Sequence, residues 1–308
     1  MRRIALALAF LSMAGFASAQ RAEEPTAQMA GDETDRGAEA PAFSLHVVQP
    51  DGQHIQLHPT NEYPAAGEDS AGSKSIMARS SNLVNHGGPV IVSAKVVEIF
   101  WGSEWGTTAN PSATALTMMS FFSNFGTTGE YNVITQYSGI HQSNLTNNYW
   151  VDTANPPTNV TDAAVQGEVS KYLSTHAIDS STIYEVFLPS TSYASIGSST
   201  SCGGPHLQFC AYHSNYSHSG KDVKYSSMPY PSCSGCQASG FSPVQNLQHF
   251  ACHETREAVT DSDGTAWYDR SGNEADDKCA WSPAPFIDAG FGYQYEWSNA
   301  NSACVKTR

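Results

Sequence analysis

The sequence predicts an α/β (or α+β) fold: a single mixed-sheet domain with flanking helices and a disulfide-containing C-terminal third. Three observations carry this. β-rich stretches such as "VIVSAKVVEIFW" and "STIYEVFLPS" alternate with stretches of helical period such as "SATALTMMSFFSNF" and "DAAVQGEVSKYLSTH", the pattern of strands separated by helices. All seven cysteines lie between Cys202 and Cys304. The first 19 residues, MRRIALALAFLSMAGFASA, combine two arginines, an apolar run and an Ala-Ser-Ala end. They predict a secretory signal peptide cut after Ala19, and export makes disulfides the default state of cysteine.

Taken in order, residues 20–85 contain no cysteine, and "RAEEPTAQMAGDETDRGAEAPA" carries six acids against two arginines with almost no large apolar residue. This region is expected to be disordered, as a pro-segment or linker, interrupted by a short hairpin around Pro50–Asp51–Gly52. The folded domain is expected to span 86–308. Its first strand runs from Val90 to Trp101, with Val90, Val92, Ala94 and Val96 on one face. Residues 112–125 read as a helix capped by Ser112, turning Leu116, Met119 and Phe122 to the core. Residues 162–176 read as a second helix capped by Asp162, and residues 181–190 as a central strand. A third helix spans Pro243 to Thr260, with Pro243 suited to its first turn. An odd cysteine must remain, and Cys252, inside that helix, is expected as a buried free thiol. The pairing of the others does not follow from spacing. "CSGC" (Cys233–Cys236) has no companion C-x-x-C, so a zinc knuckle is not favoured.

The formal charge of −14 with charged residues at 14% excludes nucleic acid or an anionic membrane as a partner held by a general positive field. No segment after the signal peptide reaches the roughly 18 apolar residues of a membrane span. A secreted protein, extracellular or periplasmic, is expected. No G-x-S-x-G elbow, phosphate loop or dinucleotide fingerprint is present.

The chemistry concentrates in "HFACHETREAVTDSDGTAWYD", His249 to Asp269. It nearly spells the zinc-peptidase motif H-E-x-x-H, with Glu257 where the second histidine would stand. On a helix His253 and Glu257 sit one turn apart on one side and together grip one cation. Glu254 takes the place of the glutamate that draws a proton from metal-bound water. Zinc accepts such mixed ligands, usually three from the protein, and the following acidic loop supplies the third from Asp261, Glu274 or Asp277. Oxygen donors this dense on a loop also suit calcium, the alternative ion. His213 in "CAYHS" and His86 in "HGGPV" are weaker candidates for a nearby imidazole. Trp267 and Tyr268 are read as packing that holds the acidic loop rather than as a sugar platform.

Several separated blocks carry a family resemblance: "HGGPV" (86–90), "EIFWGSEW" (98–105), "YNVITQYS" (131–138), "CAYHS" (210–214), "EAVTDSDGTAWYD" (257–269), "GNEADDKC" (272–279) and "WSNANSAC" (297–304). In this order they resemble the exordium-like, phosphate-induced protein family over nearly the whole mature chain. The resemblance implies secretion and association with the cell exterior, which in plants is linked to growth control and cell walls. It implies no agreed catalytic mechanism. By block it carries over Glu257, Thr260, Asp261, Glu274 and Cys279. The chain departs from plant-type members in having the His253–Glu254 pair, and in lacking proline in the block Thr260–Asp261–Ser262.

The expectation is thus a secreted exordium-like protein acting as a zinc-dependent hydrolase of peptidase type. His253 and Glu257 bind the metal with a loop carboxylate, and Glu254 acts as general base on a polypeptide or cell-wall substrate. The alternative is a non-catalytic cell-surface, signalling or binding protein whose carboxylates hold structural calcium. A wall-polysaccharide enzyme with two carboxylates is a third reading.

Overall fold

A seven-stranded mixed sheet carries the molecule. The computed structural model describes residues 45–62 and 81–308; the expected signal peptide, and residues 20–44 and 63–80 of the expected linker, lie outside these. The strands are β1 (His46–Val48), β2 (His54–Pro59), β3 (Lys95–Trp101), β4 (Thr146–Asp152), β5 (Thr182–Phe187), β6 (Phe209–His218) and β7 (Lys221–Met228). Their order across the sheet is β1-β2-β6-β7-β5-β3-β4. β7, β5, β3 and β4 run parallel, and β1, β2, β6 and β7 pair antiparallel. The α/β class with helices on both faces follows.

The domain therefore begins earlier than His86. The Pro50–Asp51–Gly52 hairpin is not a decoration on a linker. It forms the β1–β2 edge and pairs with β6. Gly52 turns at φ 88°, a conformation that suits residues without a Cβ, and the Asp51 carboxylate accepts the Gln53 N–H. Ile55 and Leu57 bury on one face of β2, which leaves His54, Gln56 and His58 on the other.

Three longer helices cover the sheet: α1 (Ala113–Phe125), α2 (Asp162–Leu173) and α3 (Pro243–Thr260). α1 and α3 share one apolar layer with Val96, Phe100, Ile183 and Phe187, while α2 packs on the opposite face with Val97, Ile99 and Val186. Ser112 caps α1 as expected, but the core stripe is Ala115, Met118, Phe122 and Phe125, and Leu116 faces solvent. Two stripes of helical period compete there, and the one richer in phenylalanine buries more area. α2 is capped by Thr161 rather than Asp162, whose carboxylate instead accepts the Tyr225 hydroxyl at 2.5 Å. The first strand is shorter than expected, starting at Lys95. α3 holds its expected bounds, with Pro243 in the first turn and a reciprocal Ser242–Gln245 capping box.

Disulfides Cys202–Cys233, Cys210–Cys236 and Cys279–Cys304 staple the C-terminal third, and Cys252 is the buried free thiol. The two cysteines of "CSGC" go to different partners. None of the described helices is long and apolar enough to cross a membrane.

Beneath α3 the sheet carries a polar rung. Gln56, His213, Ser226, Glu185 and Glu98 are register neighbours on β2, β6, β7, β5 and β3, and all are buried. Glu185 accepts from Ser226 and from Thr255 of α3 at 2.8 Å. Glu98 Oε2 has no hydrogen-bond partner among the described residues. Burial first, and then the Glu185 charge, push its pKa well up. Such an acid destabilises the fold progressively as pH rises toward its native pKa. Glu98→Gln is expected to stabilise the fold at pH 8 by on the order of 1 kcal/mol, read as a higher urea midpoint. A lower midpoint would show that the carboxylate has a counter-charge.

Candidate metal centre

α3 is enclosed on every side from Asn246 to Thr260. The sheet lies under it, and the segment after it folds back over it, bringing Glu274–Asp277 and Gln294–Glu296 against its outer face. Its polar residues therefore point into the interior, where each must find a partner.

Two triads meet there. His253 Nε2 stands 2.9 Å from Glu257 Oε2 and 3.7 Å from Asp277 Oδ1. On the strand side, His213 Nδ1 stands 3.0 Å from Glu254 Oε2 and 3.8 Å from Glu257 Oε2. Within each triad the donor atoms lie within 4.8 Å of one another, and Glu257 belongs to both. Donors bound at about 2.1 Å around one ion sit about 3 to 3.5 Å apart, so these spacings fit a shared cation. Glu274 Oε2 lies 3.8 Å from the far nitrogen of His213.

The surroundings leave His253 with a lone pair free for an ion. Gln294 donates its amide N–H to the Asp276 carbonyl at 2.7 Å, which turns its Oε1 toward the helix. That oxygen lies 3.3 Å from His253 Nδ1 and 2.9 Å from His249 Nε2. An acceptor at Nδ1 places the proton there and leaves the Nε2 lone pair facing Glu257 and Asp277. Although His253 Nε2 and Glu257 Oε2 are close, they lack hydrogen-bond alignment, and His253 Nε2 has no such partner among the described residues. The same holds for Glu254 Oε1, both oxygens of Glu274, Asp277 Oδ1 and His213 Nε2.

Electrostatically the cluster is short of positive charge. Among the described residues no lysine or arginine pairs with Glu254, Glu257, Glu274 or Asp277. The nearby guanidinium of Arg256 is engaged by Asp276 and by Glu296 at 2.7 Å. Burial accordingly pushes Glu257 up to about 8 and Asp261 up to about 7, and lifts Glu254, Glu274 and Asp277 well above the carboxylate range. Desolvation also holds His213 down at about 3, so it stays neutral and able to donate a lone pair to an ion. A metal-free interior disfavours these charges, and a cation would remove the penalty.

The residues singled out from sequence are placed as follows. His253, Glu257, Asp277 and Glu254 converge. Glu274 borders the cluster through His213. Asp261 stands at the end of α3, where one oxygen accepts the Ala266 N–H at 2.5 Å, and it belongs to neither triad. The loop acids Asp263 and Asp269 serve the fold, accepting from Thr265 at 2.6 Å and pairing with Lys278 at 2.8 Å. His213 lies on β6, three residues after the disulfide-bonded Cys210, and joins the cluster from the strand side. His86 lies away from the centre, stacked on Tyr268 at 3.7 Å, and Trp267 Nε1 donates to Ser138. Sequence reasoning missed His58, which rests 4.2 Å ring to ring from His253, and the Arg256–Asp276–Glu296–Gln294 group. The alternation of Ile55 and Leu57 was the available signal for His58.

No protein-family model, curated protein or solved structure matches this chain.

Proposed function

We propose that this is a secreted metal-binding protein whose α3 centre holds a divalent cation as a structural element. The single supporting observation is the convergence of His213, His253, Glu254, Glu257 and Asp277, all buried, with His213 Nε2, His253 Nε2, Glu254 Oε1 and Asp277 Oδ1 lacking hydrogen-bond partners among the described residues. Two imidazoles among carboxylates favour zinc or a neighbouring first-row ion over calcium. Closed coordination is the habit of structural zinc, whereas catalytic zinc keeps a position open to water. Two surface cavities, of about 540 and 580 Å³, are lined by the β1–β2 turn, the start of α2, the outer part of β6 and loops beside them, and none of the five donors lines either. The three disulfides fit an oxidising compartment. The separated sequence blocks from His86 to Cys304 support an exordium-like assignment within this reading.

The hydrolase reading keeps one supporting observation: Glu254, grouped with His213 and Glu257, has one oxygen, Oε1, without a partner among the described residues, and in that reading it serves as general base rather than as a ligand. Such a base would take a proton from water bound at an ion. The two readings separate in one experiment. Purified protein is expected to carry zinc, to lose more than 10 °C of melting temperature in EDTA (about 2.5 to 5 kcal/mol by the usual scaling for a domain of this size), and to leave casein intact whether wild type or Glu254→Gln. Cleavage by wild type alone would establish catalysis. Absence of metal together with an EDTA-insensitive melt would end the metal reading.

A further inference from the structure

Resting on the metal-binding reading above, we infer that the centre is dinuclear: two divalent first-row cations share the Glu257 carboxylate. One is held by His213 and Glu254, the other by His253 and Asp277. Three features carry this.

The first is how the donors divide. Each triad is compact, with members from two elements: β6 and α3 for the first, α3 and the segment following it for the second. They share Glu257 and nothing else. His253 and Glu254 are neighbours on a helix, about 100° apart around its axis. One turn therefore presents an imidazole to one side and a carboxylate to the other, with Glu257 between them. Both imidazoles approach the same Glu257 oxygen, Oε2, at 2.9 and 3.8 Å, while Oε1 accepts the Asp277 N–H at 2.9 Å. The bridge between two ions, set roughly 3.5 to 4 Å apart as is typical of paired sites, therefore runs through that one oxygen.

The second is charge. Glu254, Glu257, Glu274 and Asp277 are all buried and none forms an ion pair with lysine or arginine among the described residues. One divalent ion neutralises half of the charge on these four carboxylates. Two neutralise all of it. In a low-dielectric interior that difference is decisive, because an uncompensated buried carboxylate costs several kcal/mol.

The third is the supply of unused donor atoms beyond one ion's needs. Glu254 Oε1, Asp277 Oδ1 and both Glu274 oxygens are unpartnered. Glu274 Oε2 faces the other nitrogen of the His213 ring, Nε2, at 3.8 Å, and neither of its oxygens has a partner among the described residues. A single ion with three or four protein ligands would leave the remaining atoms buried and unsatisfied.

The test is metal stoichiometry on the full exported chain. Protein expressed with zinc and passed through gel filtration is expected to carry two zinc ions per chain by elemental analysis. Asp277→Asn and His213→Gln, which change little volume, are each expected to retain one, and Glu257→Gln none. A second measurement does not depend on the variants. Protein expressed with manganese in place of zinc is expected to give the electron paramagnetic resonance signal of an exchange-coupled manganese pair. One ion per chain, with an isolated-ion spectrum, overturns the inference while leaving the structural-metal reading intact. No ion at all overturns both. Two ions without coupling would show separate sites and remove the bridging role of Glu257.

Discussion

Arg256→Ala is expected to be among the most destabilising single substitutions in this protein, costing about 3 to 5 kcal/mol. Arg256 is fully buried on α3. It makes a two-pronged contact with Asp276, an ion pair with Glu296 at 2.7 Å, and donates to the carbonyls of Glu130 and Gln294 at 3.3 Å each. Truncation leaves two carboxylates in the interior without a counter-charge, opens a cavity and frees two carbonyls. Burial already pushes Asp276 up to about 6 even with the guanidinium present. The loss also reaches the candidate metal centre, since Asp276 positions Gln294, and Gln294 orients His253. Arg256→Lys is expected to recover little, because an ammonium cannot reproduce the planar fork. Guanidinium denaturation is the measurement. A change under about 1 kcal/mol would show that Asp276 and Glu296 are held neutral without the arginine.

The second large effect is an opposite pH dependence of the metal-free and metal-loaded forms. Without an ion, Glu257 titrates near 8 and Asp261 near 7, both raised chiefly by burial, against ordinary values near 4.5 and 3.8. A carboxyl whose folded pKa is raised contributes stability that is present at low pH and lost as pH climbs through the folded value. The buried histidines work the other way, since depressed imidazoles lose stability as pH falls below their ordinary 6.5. Between pH 6.5 and 8 the carboxyls therefore act nearly alone. EDTA-treated protein is expected to melt at progressively lower temperature across that window. Zinc-loaded protein is expected to hold or gain, because ion binding needs deprotonated ligands and strengthens with pH. Parallel calorimetric scans at pH 6.5, 7.2 and 8 decide this: two parallel curves would remove the ion from the cluster.

Much of the fold was legible because local rules and tertiary needs agreed. The Ser242–Gln245 capping box and Pro243 mark the start of α3 in the sequence as they do in space. The apolar run of β5 reads as a central strand and is one, flanked by β7 and β3. Where two periodic readings coexisted, as with Leu116 against Met118, only packing chose. The turn-apart placement of His253 and Glu257 followed from helix geometry alone. Asp277 could be named but not ranked against Asp261 and Glu274, because the path of the chain after α3 decides which acid returns to the helix. His213, Gln294 and His58 come from three other parts of the chain. Helical period says nothing about which strand lies beneath a helix. The hairpin was underestimated because its acidic surroundings resemble a linker, while its alternation of Ile55 and Leu57 belongs to a sheet.

The chain that follows α3 closes over the centre and is tied down by Cys279–Cys304, two residues beyond Asp277. A cation held at the proposed site would therefore be caged by covalent chemistry as well as by its ligands. Its residence time is set by how often that flap lifts, a local opening rate, rather than by the grip of each donor. Filling of the proposed site would likewise precede closure, which orders metal uptake before formation of the Cys279–Cys304 disulfide.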